Sequence, residues 1–259
     1  MLDRPTVYVH LLPSLIPPAA LKGGIAVVVD VLRATTMIVY ALAAGCEAVI
    51  ACGEVDAARY VAANLPKGTA LLGGERGGLP IEGFDLGNSP SACTPEICKG
   101  KTLVITTTNG TRAILTSLEA ERVVIGSFPN LGATSELLYL NLLKAHKRPV
   151  HIVCAGTEGF ISYEDTLLAG ALVSELQDIA KYGNDEALLA ASCWSDGKRR
   201  LADQTLDSLL MQGRGGRNVI SRASKDDILD AAQQDRFDLT AELRQRTPAR
   251  IIATRYLTS

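Results

Sequence analysis

The stretch Val27-Val28-Val29-Asp30-Val31-Leu32-Arg33-Ala34-Thr35-Thr36 sets an acid, a base and two hydroxyls directly after a short β-branched apolar run. An apolar run with no polar interruption is the pattern of a strand buried on both faces of a parallel sheet. Met37 to Ala44 continues in helix-compatible residues, so the pattern predicts strand, loop and helix with Asp30 at the strand's carboxyl end. In open α/β sheets that edge is where ligands bind, and a helix N-terminus there offers unpaired N–H groups to an anion. The residue types fit a metal-held phosphate.

The same order of apolar strand, polar loop and apolar-periodic helix recurs from Leu103 and from His151. Leu103-Val104-Ile105-Thr106-Thr107-Thr108-Asn109-Gly110-Thr111-Arg112 again places hydroxyls and an arginine at the junction. In the first two units another short strand follows, Glu47–Cys52 and Arg122–Gly126. Repetition of this kind predicts a layered α/β/α fold built from strand-loop-helix units. We read residues 1–259 as a single unit, with similar α/β halves near 1–128 and 129–259 as its internal division. Beyond Asn184 the chain reads as helical and polar, and no low-complexity linker divides it.

A chain of 259 residues can bury a large core, and 47% hydrophobic with 21% charged residues is the balance of an ordinary globular protein. With 26 basic and 28 acidic side chains and only 5% aromatic residues, neither a global field nor stacking platforms exist for nucleic acid. Recognition of a small anionic, phosphorylated substrate must then come from a few local groups. No apolar run approaches the length of a membrane span, and Met1-Leu2-Asp3-Arg4-Pro5 lacks the opening of a secretion signal, so a cytoplasmic location is expected. A homodimer is compatible with the chain. The six cysteines are scattered, which predicts free thiols, and Cys93 and Cys98 lack the spacing and the partner pair of a zinc site.

Common phosphate chemistries fail on the residues. Gly100-Lys101-Thr102 precedes its strand, with Pro95 where a P-loop needs its first glycine. Cys154 lacks the arginine of a cysteine-phosphatase loop, Phe160 standing in its place, and Asp30 lacks a second aspartate two positions on. His10, His146 and His151 show neither triad nor metal spacing. What remains is a set of oxygen-bearing side chains, arginines and glycines in loops, which suits Mg²⁺ and phosphate. Asp30, Glu164 and Asp165 are the candidate metal ligands. Arg33, Arg76 and the turn Thr106, Thr107, Thr108, Asn109, Gly110 and Thr111 are candidate substrate binders. Asp30, Glu75, Glu158 and Cys154 are the candidate catalytic groups, Cys154 as a nucleophile in a covalent alternative. Each has a plainer role available: Asp30 as a helix cap, Thr106–Thr111 as a strand end with an Asn-Gly turn, Glu75 and Arg76 as a solvent ion pair, Cys154 as a small buried apolar residue.

Asp30–Thr36, Gly74-Glu75-Arg76, Gly83–Pro90, Thr106–Thr111 and Cys154–Gly159, in this order and spacing, resemble the 2-phosphosulfolactate phosphatase family. The likeness runs over about residues 7–240, includes Ser162–Asp165, and thins beyond Asn184, where Gly215–Val219 and Asp226–Leu229 match loosely. The resemblance implies a Mg²⁺-dependent hydrolase that converts (2R)-phospho-3-sulfolactate to 3-sulfolactate and phosphate, a step of coenzyme M biosynthesis, on an α/β fold unlike the common phosphatases. Another small phosphorylated hydroxy acid as substrate, or a non-catalytic phospho-acid binder, are the alternatives; clustered carboxylates argue against the binder.

Overall fold

The structure, a computed structural model, describes residues 4–143 and 148–254; His146 lies outside them. Its framework is an 11-stranded sheet in the order β5-β4-β6-β3-β11-β10-β7-β2-β8-β1-β9. In chain order the strands are β1 (Thr6–His10), β2 (Ile25–Val29), β3 (Ala48–Ala51), β4 (Ala70–Arg76), β5 (Leu79–Pro80), β6 (Thr102–Thr106), β7 (Arg122–Gly126), β8 (Val150–Cys154), β9 (Lys181–Tyr182), β10 (Thr240–Arg246) and β11 (Ala249–Thr254). The helices are α1 (Ala34–Ala43), α2 (Val55–Ala63), α3 (Pro95–Cys98), α4 (Gly110–Thr116), α5 (Leu131–Leu143), α6 (Tyr163–Leu176), α7 (Asp185–Arg200), α8 (Leu206–Leu210), α9 (Arg214–Arg222) and α10 (Lys225–Ala231).

β2 pairs in parallel with both β7 and β8, and every one of its residues is buried. Ile25, Val27 and Val29 point into a core shared with α5 to α10, while Ala26 and Val28 point into a second core shared with α1 and α4. Helices therefore cover both faces, as a run of valines with no polar face requires. Strands from either side of residue 128 alternate along the one sheet.

The polar tail departs from the sequence expectation. After α7 to α10 the chain forms a β10–β11 hairpin, inserted antiparallel between β7 and β3 in mid-sheet. The charges of β10 hid it. Glu242 is 3% exposed, accepts a hydrogen bond from Arg122 Nε at 2.8 Å and forms an ion pair with Arg244 Nη2 at 3.1 Å, so its charge is carried inside the sheet by pairing. The hairpin divides the sheet into two parallel blocks, β4-β6-β3 and β7-β2-β8-β1, that run in opposite senses. The carboxyl ends of β2, β4 and β6 nevertheless meet, which creates the site.

Candidate active site

Asp30 leaves β2 into the N-terminus of α1. Thr35 ties this corner to itself: its Oγ1 accepts from Asp30 N–H at 3.0 Å and donates to the Asp30 carbonyl at 2.9 Å, and Thr36 Oγ1 donates to the Val31 carbonyl at 2.7 Å. The two hydroxyls expected near a ligand thus hold backbone, and leave the Asp30 carboxylate with one long contact, from Ala34 N–H at 3.4 Å. Across from it, Gly110 opens α4. A Cβ built on Gly110 would stand 2.6 Å from Asp30 Oδ2 and 2.4 Å from Ala34 Cβ, so only glycine lets the β6–α4 turn approach this closely.

Thr106–Thr111 continues the strand into a helix start and forms no hairpin turn. Thr107 Oγ1 accepts from Thr111 N–H at 3.1 Å, and Thr111 Oγ1 donates to the Thr107 carbonyl at 2.7 Å. Thr106, Thr107 and Thr111 are buried, and Thr108 and Asn109 are the members that line the cavity. Glu75 binds that turn from β4. Its Oε1 accepts from Thr108 N–H at 2.7 Å, and its Oε2 accepts from Gly78 N–H at 2.7 Å and Thr108 Oγ1 at 3.2 Å. The β4 glycines allow the approach, since a Cβ on Gly74 (φ 144°) would fall 2.0 Å from the Thr106 carbonyl oxygen.

The third wall is α6 and the loop before it. Glu164 and Asp165, in the first turn of α6, are almost completely buried. Asp165 Oδ1 accepts from Val31 N–H at 2.9 Å and Oδ2 from Gly156 N–H at 3.0 Å, so both oxygens are engaged in clamping two loops. Glu164 differs. Its Oε2 has no hydrogen-bond partner among the described residues. Gly213 and Gly215 press on it, since a Cβ on either would lie 2.0 or 1.9 Å from its oxygens.

Burial dominates the electrostatics. It pushes the Asp30 carboxyl up to about 7; the Ala34 N–H and the Arg33 charge oppose the shift, and the Glu75 and Glu164 charges add to it. The Asp165 carboxyl is held well above the usual carboxylate range by burial, then by the charges of Asp30 and Glu164. Glu164 is raised by burial too, against the pull of its own N–H, the Ser162 hydroxyl and the Gly215 N–H. Buried like charges in this arrangement are costly unless protons or a cation join them. The Glu164 oxygen without a partner among the described residues, the Asp30 carboxylate held only by the long Ala34 contact among them, and the hard oxygen donor set all fit Mg²⁺. Among the described residues no group of three or more His, Cys, Asp or Glu side chains is arranged to hold a metal alone. An ion here would share its coordination with water and substrate oxygens, the usual habit of Mg²⁺.

The arginines divide. Arg33, 9% exposed, lines the cavity and donates through Nη1 to Asp227 Oδ2 at 2.6 Å. Arg76 turns away: its guanidinium donates to Thr106 Oγ1 at 2.8 Å, the Gly53 carbonyl at 3.1 Å and the Glu75 carbonyl at 2.9 Å, beside a separate surface concavity. Arg222 of α9 stands in the cavity wall instead, 3.4 Å from Glu158 Oε1 and 3.3 Å from the Gly77 carbonyl. Glu158 is half exposed, also faces Arg214 at 3.8 Å, and holds a left-handed backbone (φ 56°), a strain of about 1–3 kcal/mol that tends to mark functional loops. Cys154 is fully buried below the loop. Its thiol donates to the Asp165 carbonyl at 3.7 Å, and burial, then the Asp165 and Glu164 charges, raise its pKa well above the ordinary thiol value. A thiolate there is disfavoured.

Asp30, Arg33, Glu75, Thr108, Asn109 and Glu158 therefore share a cavity of about 70 Å³; Glu164 and Asp165 lie beneath it, and Arg76 and Cys154 are directed elsewhere. Arg222, Asn218 and Asn88 join it, and Asp227 stands behind Arg33, without having been singled out as site residues. Asn88 sits in the quoted Gly83–Pro90 stretch, and its buried Oδ1 has no partner among the described residues. Asp227 and Arg222 come from the segment where the resemblance thinned.

A family model described as 2-phosphosulpholactate phosphatase matches residues 10–246. The chain is 38% identical over 224 residues to a protein of Caldanaerobacter subterraneus subsp. tengcongensis named "Probable 2-phosphosulfolactate phosphatase", covering 86% of this chain and 89% of that one. A protein of the same name from Synechococcus sp. (strain WH7803) is 45% identical over 174 residues, 67% of this chain and 69% of its own. One from Cyanothece sp. is 35% identical over 241 residues, 90% and 94% of the two chains.

Proposed function

Because the chain belongs to the 2-phosphosulfolactate phosphatase family, whose name describes a phosphoric monoester hydrolase, we propose that it hydrolyses the phosphate ester of (2R)-phospho-3-sulfolactate with the help of Mg²⁺. The observation that carries this reading is the convergence of Asp30, Arg33 and the Thr108-Asn109 turn from distant stretches onto one small cavity, with Glu164 buried behind the cavity-lining Gly215. Asp30 and Glu164 would hold the cation, which would supply charge to offset the phosphoryl oxygens and acidify water. Arg33 and the N–H groups at the start of α4 bind the phosphoryl oxygens. Glu75 acts indirectly, fixing the Thr108 and Gly78 backbone so that the turn needs no reorganisation during the reaction. Arg222, rather than Arg76, takes the sulfonate or carboxylate of the substrate. Water oxygen attacks phosphorus, the ester P–O bond breaks, and Glu158 relays a proton given up by that water to the leaving oxygen, giving 3-sulfolactate and orthophosphate. With its buried, protonated thiol, Cys154 packs the loop. The proposed product, 3-sulfolactate, would belong to the coenzyme M type of sulfonate synthesis; no helix among the described residues is long and apolar enough to cross a membrane. Orthophosphate release from phosphosulfolactate and a panel of phosphorylated hydroxy acids tests the substrate. Equal turnover of sulfonate-free esters would remove the assignment.

A further inference from the structure

Arg33 is the cavity arginine closest in sequence to Asp30, yet one end of its guanidinium is already spoken for. Nη1 donates to Asp227 Oδ2 at 2.6 Å, and Nη2 makes only a long contact, 3.4 Å, with the Gly78 carbonyl. Asp227, in α10, is completely buried, and its other oxygen Oδ1 accepts from Ser89 Oγ. A buried carboxylate satisfied by one guanidinium nitrogen and one hydroxyl is a rigid anchor: neither partner can leave without stranding the charge. Anchoring Nη1 fixes the plane of the guanidinium and leaves its Nε–Nη2 edge for a second, bidentate anion. Two donors at a fixed spacing suit a phosphoryl group.

We propose that Asp227, itself held by Ser89, is the positioning residue that presents the Nε–Nη2 edge of Arg33 to the phosphoryl group. The assignment rests on the phosphatase reading, and gives the C-terminal helices a part in the reaction: α10 reaches back across 194 residues of sequence to orient the arginine of the first strand-loop-helix unit. Ser89 brings in the Gly83–Pro90 loop on the same carboxylate.

The test is steady-state kinetics on the full chain, with KM for phosphosulfolactate and Ki for inorganic phosphate measured together. Asp227→Asn keeps the shape and removes the charge, so a misoriented arginine raises KM and phosphate Ki in parallel, by about tenfold or more. Asp227→Glu recovers part of that loss. Ser89→Ala, which leaves the ion pair in place, raises both by about threefold and serves if Asp227→Asn does not fold. Lower kcat at unchanged KM and Ki in these variants would mean a lost active fraction and would overturn the proposal, as would wild-type constants throughout. If the wild-type protein releases no orthophosphate, the phosphatase reading fails instead; phosphate affinity, read by thermal shift, still decides whether Asp227 orients Arg33.

Discussion

Gly215→Ala pits two effects of known sign against each other. Gly215 lies early in α9 with an ordinary backbone conformation, so alanine should favour the helix by at most about 1 kcal/mol. Its new methyl group, however, would stand 1.9 Å from Glu164 Oε1, 2.9 Å from Glu164 Cδ and 3.5 Å from Thr157 Oγ1. Glu164 is 1% exposed and has nowhere to retreat without dragging the α6 N-terminus or α9. Overpacking of this kind costs about 1–3 kcal/mol. With the full helix gain set against it, the net loss is about 0–2 kcal/mol, or roughly 0–8 °C in Tm for a chain of this size. Because the displaced atom belongs to the carboxylate assigned to the cation, the Tm gain on adding Mg²⁺ should shrink as well. Thermal melts with and without Mg²⁺ read both effects. Gly197→Ala in α7 is the control, since its Cβ would stand 3.1 Å from the flexible end of Leu167 and at ordinary contact distance, 3.8 Å, from Leu209 Cδ1 and Trp194 Cε3, and should leave Tm level or slightly higher. A Gly215→Ala protein that melts at or above wild type with a full Mg²⁺ response would refute the placement of Glu164 at the metal.

Three further outcomes follow from the same geometry. Protons and Mg²⁺ compete for Asp30, whose carboxyl is pushed up to about 7 chiefly by burial, so apparent Mg²⁺ affinity should fall by up to about tenfold per unit as the pH drops below 7 and level off above it; calorimetric titrations between pH 5.5 and 8.5 would contradict this by a flat profile. Cys154→Ser should keep most turnover, because the buried, protonated thiol is turned to the Asp165 carbonyl, whereas a phosphoenzyme trapped on wild-type Cys154 would restore the covalent route. Arg222→Ala should raise KM for phosphosulfolactate by about tenfold or more through loss of a charge-assisted hydrogen bond, while Arg76→Ala changes it less than about threefold; reversal of the two would return the anionic tail to Arg76.

The parts of the fold legible in the sequence are those whose residues obey one local rule. β2 with Asp30 and α1, β6 with its Thr-Asn-Gly turn, and β8 with the entry to α6 all begin as apolar runs and end where polarity starts. β10 could not be read this way, because Thr240-Ala241-Glu242-Leu243-Arg244 carries charges whose burial depends on Arg122, a residue of another strand. The site divides similarly. Asp30, Glu75 and Glu164 announce themselves by acid placement beside glycines or helix starts, but whether an oxygen is free depends on partners far away in sequence. Asp165 looked equal to Glu164 until Val31 and Gly156 were found donating to both of its oxygens. Arg76 sits beside Glu75, yet the close approach of β4 to β6 sends its side chain to Thr106. Asp227 and Arg222 lie in short polar helices with no local mark, and only the packing of α9 along the cavity and the pairing of α10 with Arg33 give them roles.

The central claim is that Asp30 anchors a cation-assisted phosphate hydrolysis. It is tested most directly by orthophosphate release from phosphosulfolactate, measured for wild type with Mg²⁺, wild type with chelator, and Asp30→Asn with Mg²⁺. Release in the first case alone, with the variant still folded by thermal melt, is the expected result; steady release by Asp30→Asn or in chelator would contradict it.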